Sequence, residues 1–282
     1  MKRYAHSMGI EDKYRVGLGD RVKLSEWKTD DADGVEREEI EAKTAENTLA
    51  IADLQHRLYA DHKRSLLIVL QAMDAAGKDS TIRRVFGRVN PQGVQVKSFK
   101  RPTPDELAHD FLWRVHQHTP RRGHIALFNR SHYEDVLVVR VNNLVSEERW
   151  KKRYDVINGF EQGLVNGGTE IIKIYLHLSK DRQREKLSER LTDPTKNWKF
   201  EAGDLETRRK WDDYMEAYED AMTKCNTENA RWYIVPTDRK WYRVWAVSEI
   251  VRATLEDINP NFPDPKLDPV AAMKLLEQMN GD

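Results

Sequence analysis

Residues 65–84 read SLLIVLQAMDAAGKDSTIRR, and the texture of the chain changes twice within them. Leu66 to Leu70 is an unbroken aliphatic run, the next residues are mostly small, and Lys78 opens a stretch with helical spacing. An aliphatic run without alternation marks a strand buried on both faces, as in a parallel sheet. Set against the pattern GxxxxGK[ST], positions 72–79 keep Gly77 and Lys78 but carry Ala72 at the first glycine and Asp79 at the hydroxyl residue. Strand, small-residue loop, lysine and helix form the context in which that pattern has physical meaning. A tight loop aims the N–H groups of residues such as Ala75, Ala76 and Gly77 at phosphate oxygens, the helix dipole adds positive potential, and Lys78 reaches the terminal phosphates. A carboxylate beside phosphate repels it unless a divalent cation lies between. Asp74 and Asp79 therefore imply metal bridging in place of the usual hydroxyl ligand.

Further apolar β-type runs occupy 94–99, 124–128, 170–178 and 232–235, separated by segments of helical character. A helix is expected from 36 to about 62, with Ile51, Leu54 and Leu58 on one face. Thr103-Pro104-Asp105-Glu106 writes a capping box for a helix expected to run to about 117. Ser146-Glu147-Glu148 opens another helix, closed by Gly167-Gly168. Strands alternating with helices predict an α/β fold, a five-stranded parallel sheet with helices on both faces and ligands at the carboxyl ends of its strands.

The 282 residues carry 47 Lys+Arg against 47 Asp+Glu, and this neutrality argues against a general nucleic-acid binder. Cys225 is the one cysteine, which excludes an internal disulfide and any zinc site built on two thiolates, and points to a reducing compartment. The aliphatic runs are too short to cross a bilayer, and MKRYAHSMGI lacks the apolar core of a secretory signal, so a cytoplasmic protein off the membrane is expected. Charge is nevertheless segregated. Asp30, Asp31, Asp33, Glu36, Glu38, Glu39 and Glu41 crowd one segment, whereas Arg83, Arg84, Arg88, Lys97, Lys100 and Arg101 fall together later. With no repeat or linker visible, the expected organisation is an extension and helix over 1–62, with 1–33 wrapping the surface, a core over 63–258 and a tail over 259–282.

The run at 124–128 ends in Asn129-Arg130-Ser131-His132-Tyr133-Glu134. An arginine there serves either a salt bridge or a bidentate phosphate grip, and the position adjoins the phosphate loop if the two strands are neighbours. A lid is expected over about 179–210, where Lys180, Arg182, Arg184, Lys186, Arg190, Lys196 and Lys199 lie on a basic helix pair joined at Asp193-Pro194. His116 and His118, two apart on a helix, do not share a face for a metal. His132 is not needed as a base in phosphoryl transfer. Trp113 and Trp198 are candidates near a nucleotide, and Cys225 reads as an inert helix residue.

Taken together, QAMDAAGKDSTIRRVFGRVNPQGVQVKSFKRPT, DFLWRVHQHTPRRGHIALFNRSHYEDVLVVRV, SKDRQREKLSERLTDPTKNWKF and WYIVPTDRKWYR resemble the polyphosphate kinase 2 family. The wording is most similar to its class III branch, whose members phosphorylate AMP and ADP with polyphosphate as donor. The resemblance implies a P-loop kinase fold with a helical lid, dependence on Mg2+ or Mn2+, and a homo-oligomer, dimer or tetramer. It implies Asp74 and Glu134 at the metal, Lys78 on the transferring phosphates, Asp79 at the metal-phosphate cluster, and Arg130 supported by Asn129 and Glu134. Asp110 and Arg114 would serve the nucleotide, and Arg182 and Arg190 would act from the lid. Polyphosphate is charged along its length and bears no base, so a basic channel suits it, for which Arg83, Arg84, Lys97, Lys100, Arg121 and Arg122 are the candidates. The alternatives are an ATP-dependent nucleoside monophosphate kinase and a non-catalytic binder of nucleotide or polyphosphate.

Overall fold

The computed structural model describes residues 9–32 and 34–279. Asp33 of the acidic segment and most of MKRYAHSMGI lie outside the described residues. The strands are β1 (Ser65–Gln71), β2 (Val94–Ser98), β3 (Ile125–Asn129), β4 (Thr169–His177) and β5 (Ala230–Pro236). They pair in parallel in the order β2-β3-β1-β4-β5, so each expected strand is present with slightly shifted ends. The helices are α1 (Ile10–Tyr14), α2 (Arg37–Asp61), α3 (Lys78–Val85), α4 (Pro104–Ala108), α5 (Trp113–His116) and α6 (Val138–Val141). They continue with α7 (Glu147–Asn166), α8 (Lys180–Thr192), α9 (Ala202–Arg209), α10 (Trp211–Lys224), α11 (Lys240–Ile258) and α12 (Pro269–Met279).

Every residue of β1 is buried, because the sheet is covered on both faces. The chain leaves β1 through α3 and passes β3 to reach β2; it leaves β3 and passes β1, through α7, to reach β4. Crossovers of one hand running in opposite directions put α3 and α7 on opposite faces. Leu67 and Val69 accordingly meet Tyr154, Ile157 and Phe160 of α7, with Tyr214 and Tyr218 of α10 in the same cluster. Leu66, Ile68 and Leu70 point the other way, toward Val85 of α3, Ile51 and Leu58 of α2, and Val247 and Val251 of α11.

Two expectations are corrected. The segment before α2 does not merely wrap the surface: Tyr14, Val16, Val22 and Leu24 are buried in the core. Its backbone extends the sheet, with Val16 N donating to Trp232 O at 2.9 Å and an antiparallel bridge between Arg15 and Tyr233. A handful of apolar side chains suffices there because the segment lies against the edge strand. The helix expected from 103 to 117 is broken in two. The capping box forms, with Thr103 Oγ1 accepting from Glu106 N at 3.2 Å and Glu106 Oε2 from Thr103 N at 2.7 Å. His109 is extended, however, and Asp110 Oδ1 accepts from Leu112 N at 2.9 Å, a local side-chain bond that competes with helix continuation.

A charged network is sealed inside the α7 face. Lys173 of β4 and Glu161 of α7 are fully buried, and Lys173 Nζ donates to Glu161 Oε2 at 2.6 Å, Tyr133 Oη at 3.0 Å and Cys225 O at 2.5 Å. Glu161 Oε1 also accepts from Tyr133 Oη at 2.9 Å and lies 3.1 Å from His132 Nε2. Burial pushes the Glu161 carboxyl upward, but Lys173 and His132 outweigh it and hold the group below its ordinary range. All three ammonium donors are satisfied, which keeps a buried charge tolerable. Cys225, the C-cap of α10, lies beside the same network, and its burial, against the pull of Lys173, pushes its thiol up to about 12 and leaves it inert. Among the described residues no helix is long and apolar enough to cross a membrane. Because removing one partner strands the other, Lys173→Met is expected to cost about 3–5 kcal/mol in urea unfolding, and a midpoint equal to wild type would show that the buried pair is dispensable.

Candidate active site

The phosphate loop occupies the turn between β1 and α3, at the carboxyl edge of the sheet. Two of its residues sit in the left-handed region, Ala75 at φ 67° and Gly77 at φ 95°. Ala72, standing where the pattern has glycine, tucks its methyl into the core, and its carbonyl accepts from Lys78 Nζ at 3.0 Å across the loop. The Ala76 carbonyl faces inward, taking Thr237 Oγ1 at 3.1 Å and Arg243 Nη1 at 2.7 Å. Ser80 and Thr81 hydroxyls return to Gly77 O at 2.9 and 3.1 Å, closing the first turn of α3. A Cβ on Gly77 would lie 2.6 Å from Arg243 Nη1, so both backbone angle and space demand glycine.

Opposite this loop stands the end of β3. Leu70 and Asn129 are register partners, and Arg130 N donates to Leu70 O at 3.0 Å. Arg130 then turns at φ 60°, throwing its guanidinium over the loop, where Nη2 donates to Asp74 Oδ1 at 2.7 Å and Nη1 lies 4.0 Å from Glu134 Oε2. Asn129 Nδ2 donates to Asp79 Oδ1 at 2.6 Å. Glu134 most, and Asp74 next among the attractions, hold Arg130 charged above its ordinary range against burial. Burial, helped by Arg130, pulls the Lys78 ammonium below its ordinary value while Asp74, Glu134 and Asp79 pull it back. Ser131 anchors the turn, its Oγ accepting from Gln71 Nε2 at 3.0 Å and Tyr133 N at 3.1 Å. Asp74, Lys78, Asp79, Asn129, Arg130 and Glu134 thus converge on one crevice.

Among the described residues no three His, Cys, Asp or Glu side chains cluster into a complete metal cage. Magnesium does not require one, since it commonly keeps several waters and takes one or two carboxylates plus phosphate oxygens. Asp74 and Glu134, hard oxygen donors approaching the same guanidinium, fit that partial donor set.

The segment expected to form a lid begins at Ser179, whose Oγ caps α8 by accepting from Arg182 N at 3.1 Å. Within it, Arg182 pairs with Glu185, and Arg190 donates to Asp204 Oδ2 at 3.0 Å and Lys199 O at 3.2 Å, so both arginines are held by lid partners. Gln183, fully buried, ties the lid to the loop, with Nε2 donating to Asp74 O at 3.1 Å and Oε1 accepting from Arg208 Nη1 at 3.1 Å.

The expected channel residues divide. Arg83 and Arg84 are exposed on α3 and lower the pKa of Lys240, together with Arg243 and Lys186, after desolvation. Lys97 lies in β2, its ammonium over the Phe99 ring, and Lys100 is exposed just past that strand's carboxyl end. Arg121 and Arg122 are misplaced by the sequence reading. They precede β3, a strand parallel to β1, and so lie at the amino edge of the sheet, a whole strand length from the phosphate loop. Arg114 is also corrected: it is buried, donates to Lys100 O at 2.9 Å and lies over the Phe99 ring, so it braces the chain rather than facing a free ligand. Asp110 is exposed but occupied in capping Leu112 N. Trp113 stacks on His109, and Trp198 is 76% exposed on the lid. His116 packs edge-on to Phe160 while His118 packs on Phe99, and His132 is fully buried.

Sequence reasoning missed Gln183, Lys186 as a neighbour of Lys240, and Thr237 and Arg243 behind the loop. The last pair follows β5 in PTDRKWYR, and the only available signal was that β5 ends on the same sheet edge as β1.

A sequence profile described as Polyphosphate kinase 2 (PPK2) matches residues 34–263. The chain belongs to the polyphosphate kinase 2 family. The chain is 52% identical, over 90% of its length and 96% of the relative's, to the AMP/ADP-polyphosphate phosphotransferase of Meiothermus ruber. It is 44% identical to the ADP-polyphosphate phosphotransferase of Rhodopseudomonas palustris, over 91% of this chain and 94% of the relative. The crystal structure of polyphosphate kinase 2 from Arthrobacter aurescens TC1 superposes with a TM-score of 0.92 at 38% identity, covering 96% of this chain and 98% of that one. The chain is therefore a phosphotransferase with the P-loop architecture of its family. Gly77→Ala is expected to destabilise it by roughly 1–3 kcal/mol and to weaken ADP binding; an unfolding curve and a titration matching wild type would show that the loop has room for a methyl.

Proposed function

We propose that this protein moves the terminal phosphoryl group of inorganic polyphosphate onto AMP to give ADP and onto ADP to give ATP, with direction set by concentrations. The observation that carries the reading is the convergence of Lys78 and Arg130 with paired carboxylates over an open amide loop, continuous with exposed Arg83, Arg84 and Lys240. A strip of cations suits a chain of phosphates that is charged along its length. The names of the Meiothermus and Rhodopseudomonas relatives support the same donor and acceptors.

In the reaction an acceptor phosphate oxygen attacks the terminal phosphorus while the bond to the bridging oxygen breaks, and the shortened chain leaves with the electron pair. Loop amides and Lys78 hold the transferring group, and Arg130 exchanges Asp74 for phosphate oxygens as charge moves to the leaving chain. Asp74 and Glu134 would hold a magnesium or manganese ion, which would neutralise phosphate charge. Asp79, fixed by Asn129, aligns that cluster. Arg182 and Arg190 exchange lid carboxylates for substrate as the lid closes, and the exposed Asp110 would serve the nucleotide only by giving up Leu112 N. No side chain need form a covalent intermediate, and buried His132 takes no proton from substrate.

A cytoplasmic setting accords with the buried free Cys225 and with these metabolites. A homo-oligomer, dimer or tetramer, is favoured by the apolar side chains that Phe262, Leu267, Val270, Met273, Leu276 and Met279 expose at and before α12.

AMP, magnesium and polyphosphate in an ATP-free mixture are expected to yield ADP and then ATP, and a mixture that yields no ADP would overturn the reading. Lys78→Ala is expected to lower kcat roughly 10²–10³-fold at saturating substrate. Arg130→Ala should lower kcat more than it raises KM, because its grip tightens as charge develops; steady-state kinetics with an unchanged kcat would remove it from the catalytic set.

A further inference from the structure

Arg243, on the first turns of α11, is 5% exposed and lies directly behind the phosphate loop. Nη1 donates to Ala76 O at 2.7 Å and to Thr237 Oγ1 at 3.0 Å, and Nη2 donates to Ser80 Oγ at 2.9 Å. All three acceptors are neutral. Among the described residues no carboxylate pairs with this guanidinium, and its Nε has no hydrogen-bond partner. The charged groups around it are of its own sign, Arg84 and Lys240. A buried cation without a counter-ion is expensive, and nothing in the packing requires one here. Thr237 already holds the Ala76 carbonyl at 3.1 Å, so a hydrogen bond alone does not explain an arginine.

Two consequences of this placement point toward the crevice. In a trans peptide the carbonyl and the following N–H are opposed, so capturing Ala76 O on the inner side aims Gly77 N–H outward. A cation on that carbonyl also polarises the peptide and makes its N–H a stronger donor. The guanidinium fills the volume under Gly77, 2.6 to 2.8 Å from where a Cβ would stand, so the loop rests on it directly.

We propose that Arg243 is a positioning residue of the phosphate site, aiming the Gly77 amide and supplying a buried positive charge whose counter-ion is the bound phosphate itself. The inference rests on the reading of the loop as the phosphate site.

The test compares wild type with R243M, R243Q and R243K, using inorganic tripolyphosphate with magnesium as the probe, by calorimetric titration and by thermal melting with and without the probe. R243M removes charge and donors, R243Q keeps a donor without charge, and R243K keeps charge without the planar fork. The expected result is that R243M and R243Q bind tripolyphosphate about tenfold or more weakly, R243K less weakly than either, while without the probe R243M melts close to or above wild type. KM for polyphosphate should rise in the neutral variants, whereas a structural plug would only lower the active fraction and leave KM alone. Wild-type affinity in either R243Q or R243M would overturn the proposal. Should R243M fail to fold, R243Q against R243K decides, and equal affinities would equally overturn it. If wild type itself neither binds tripolyphosphate nor melts higher with it, the phosphate reading of the loop falls and this inference with it; if wild type binds and the neutral variants bind as well, only this inference falls.

Discussion

The Leu70 carbonyl accepts from Arg130 N, and this one backbone bond between the ends of two adjacent parallel strands sets the geometry of the site. It fixes the register in which β3 finishes beside β1, so the turn after Asn129 has nowhere to go except over the phosphate loop. Asp74, Asp79 and Glu134 then face Lys78 and Arg130 across a gap that substrate oxygens and a hard cation suit. The strand order creates this adjacency, because chain leaving β1 and chain leaving β3 depart in opposite directions and open a crevice between them.

The charges of the site fall into two kinds. Arg130, Arg182 and Arg190 are each matched by a carboxylate, so under the proposed function a polyanion would displace an existing partner to engage them. That exchange favours a selective response over indiscriminate anion binding, since the displaced carboxylate needs a new partner. Among the described residues Arg243 and the exposed Arg84 and Lys240 are matched by no carboxylate, and they repel one another. Paired charges give alignment, and unpaired charges give attraction.

Behind the crevice, the Lys173 and Glu161 network keeps His132 and Tyr133 fixed within the turn that carries Arg130. Gln183 performs the corresponding task from the lid side by holding Asp74 O. Both ties are polar and buried, and directional bonds of that kind restrict a turn more than apolar contact does.

Local chemistry in the chain determined a good deal of this protein. The aliphatic run at Leu66–Leu70, the turn through Gly77 and Lys78, the capping box at Thr103 and the closing glycines at 167 and 168 each act over a few residues, and each forms as its composition dictates. The convergence of Asp74, Lys78 and Arg130 was legible because motifs at strand ends inherit their neighbourhood from a parallel sheet. Other features depended on contacts far apart in sequence. Arg121 and Arg122 resemble channel residues by charge, yet strand polarity puts them on the wrong edge of the sheet. Arg114 resembles a ligand donor until Phe99 and the Lys100 carbonyl enclose it. Tyr14 and Val16 become core only because an edge strand more than two hundred residues later receives them. Arg243 reaches the phosphate loop only because β5 and α11 return to the edge where β1 ended. Sequence alone determined which segments would form strands, helices and an anion-seeking turn, since those are short-range properties. Burial and the pairing of charges were decided by tertiary structure, because both depend on what lies across space from a side chain.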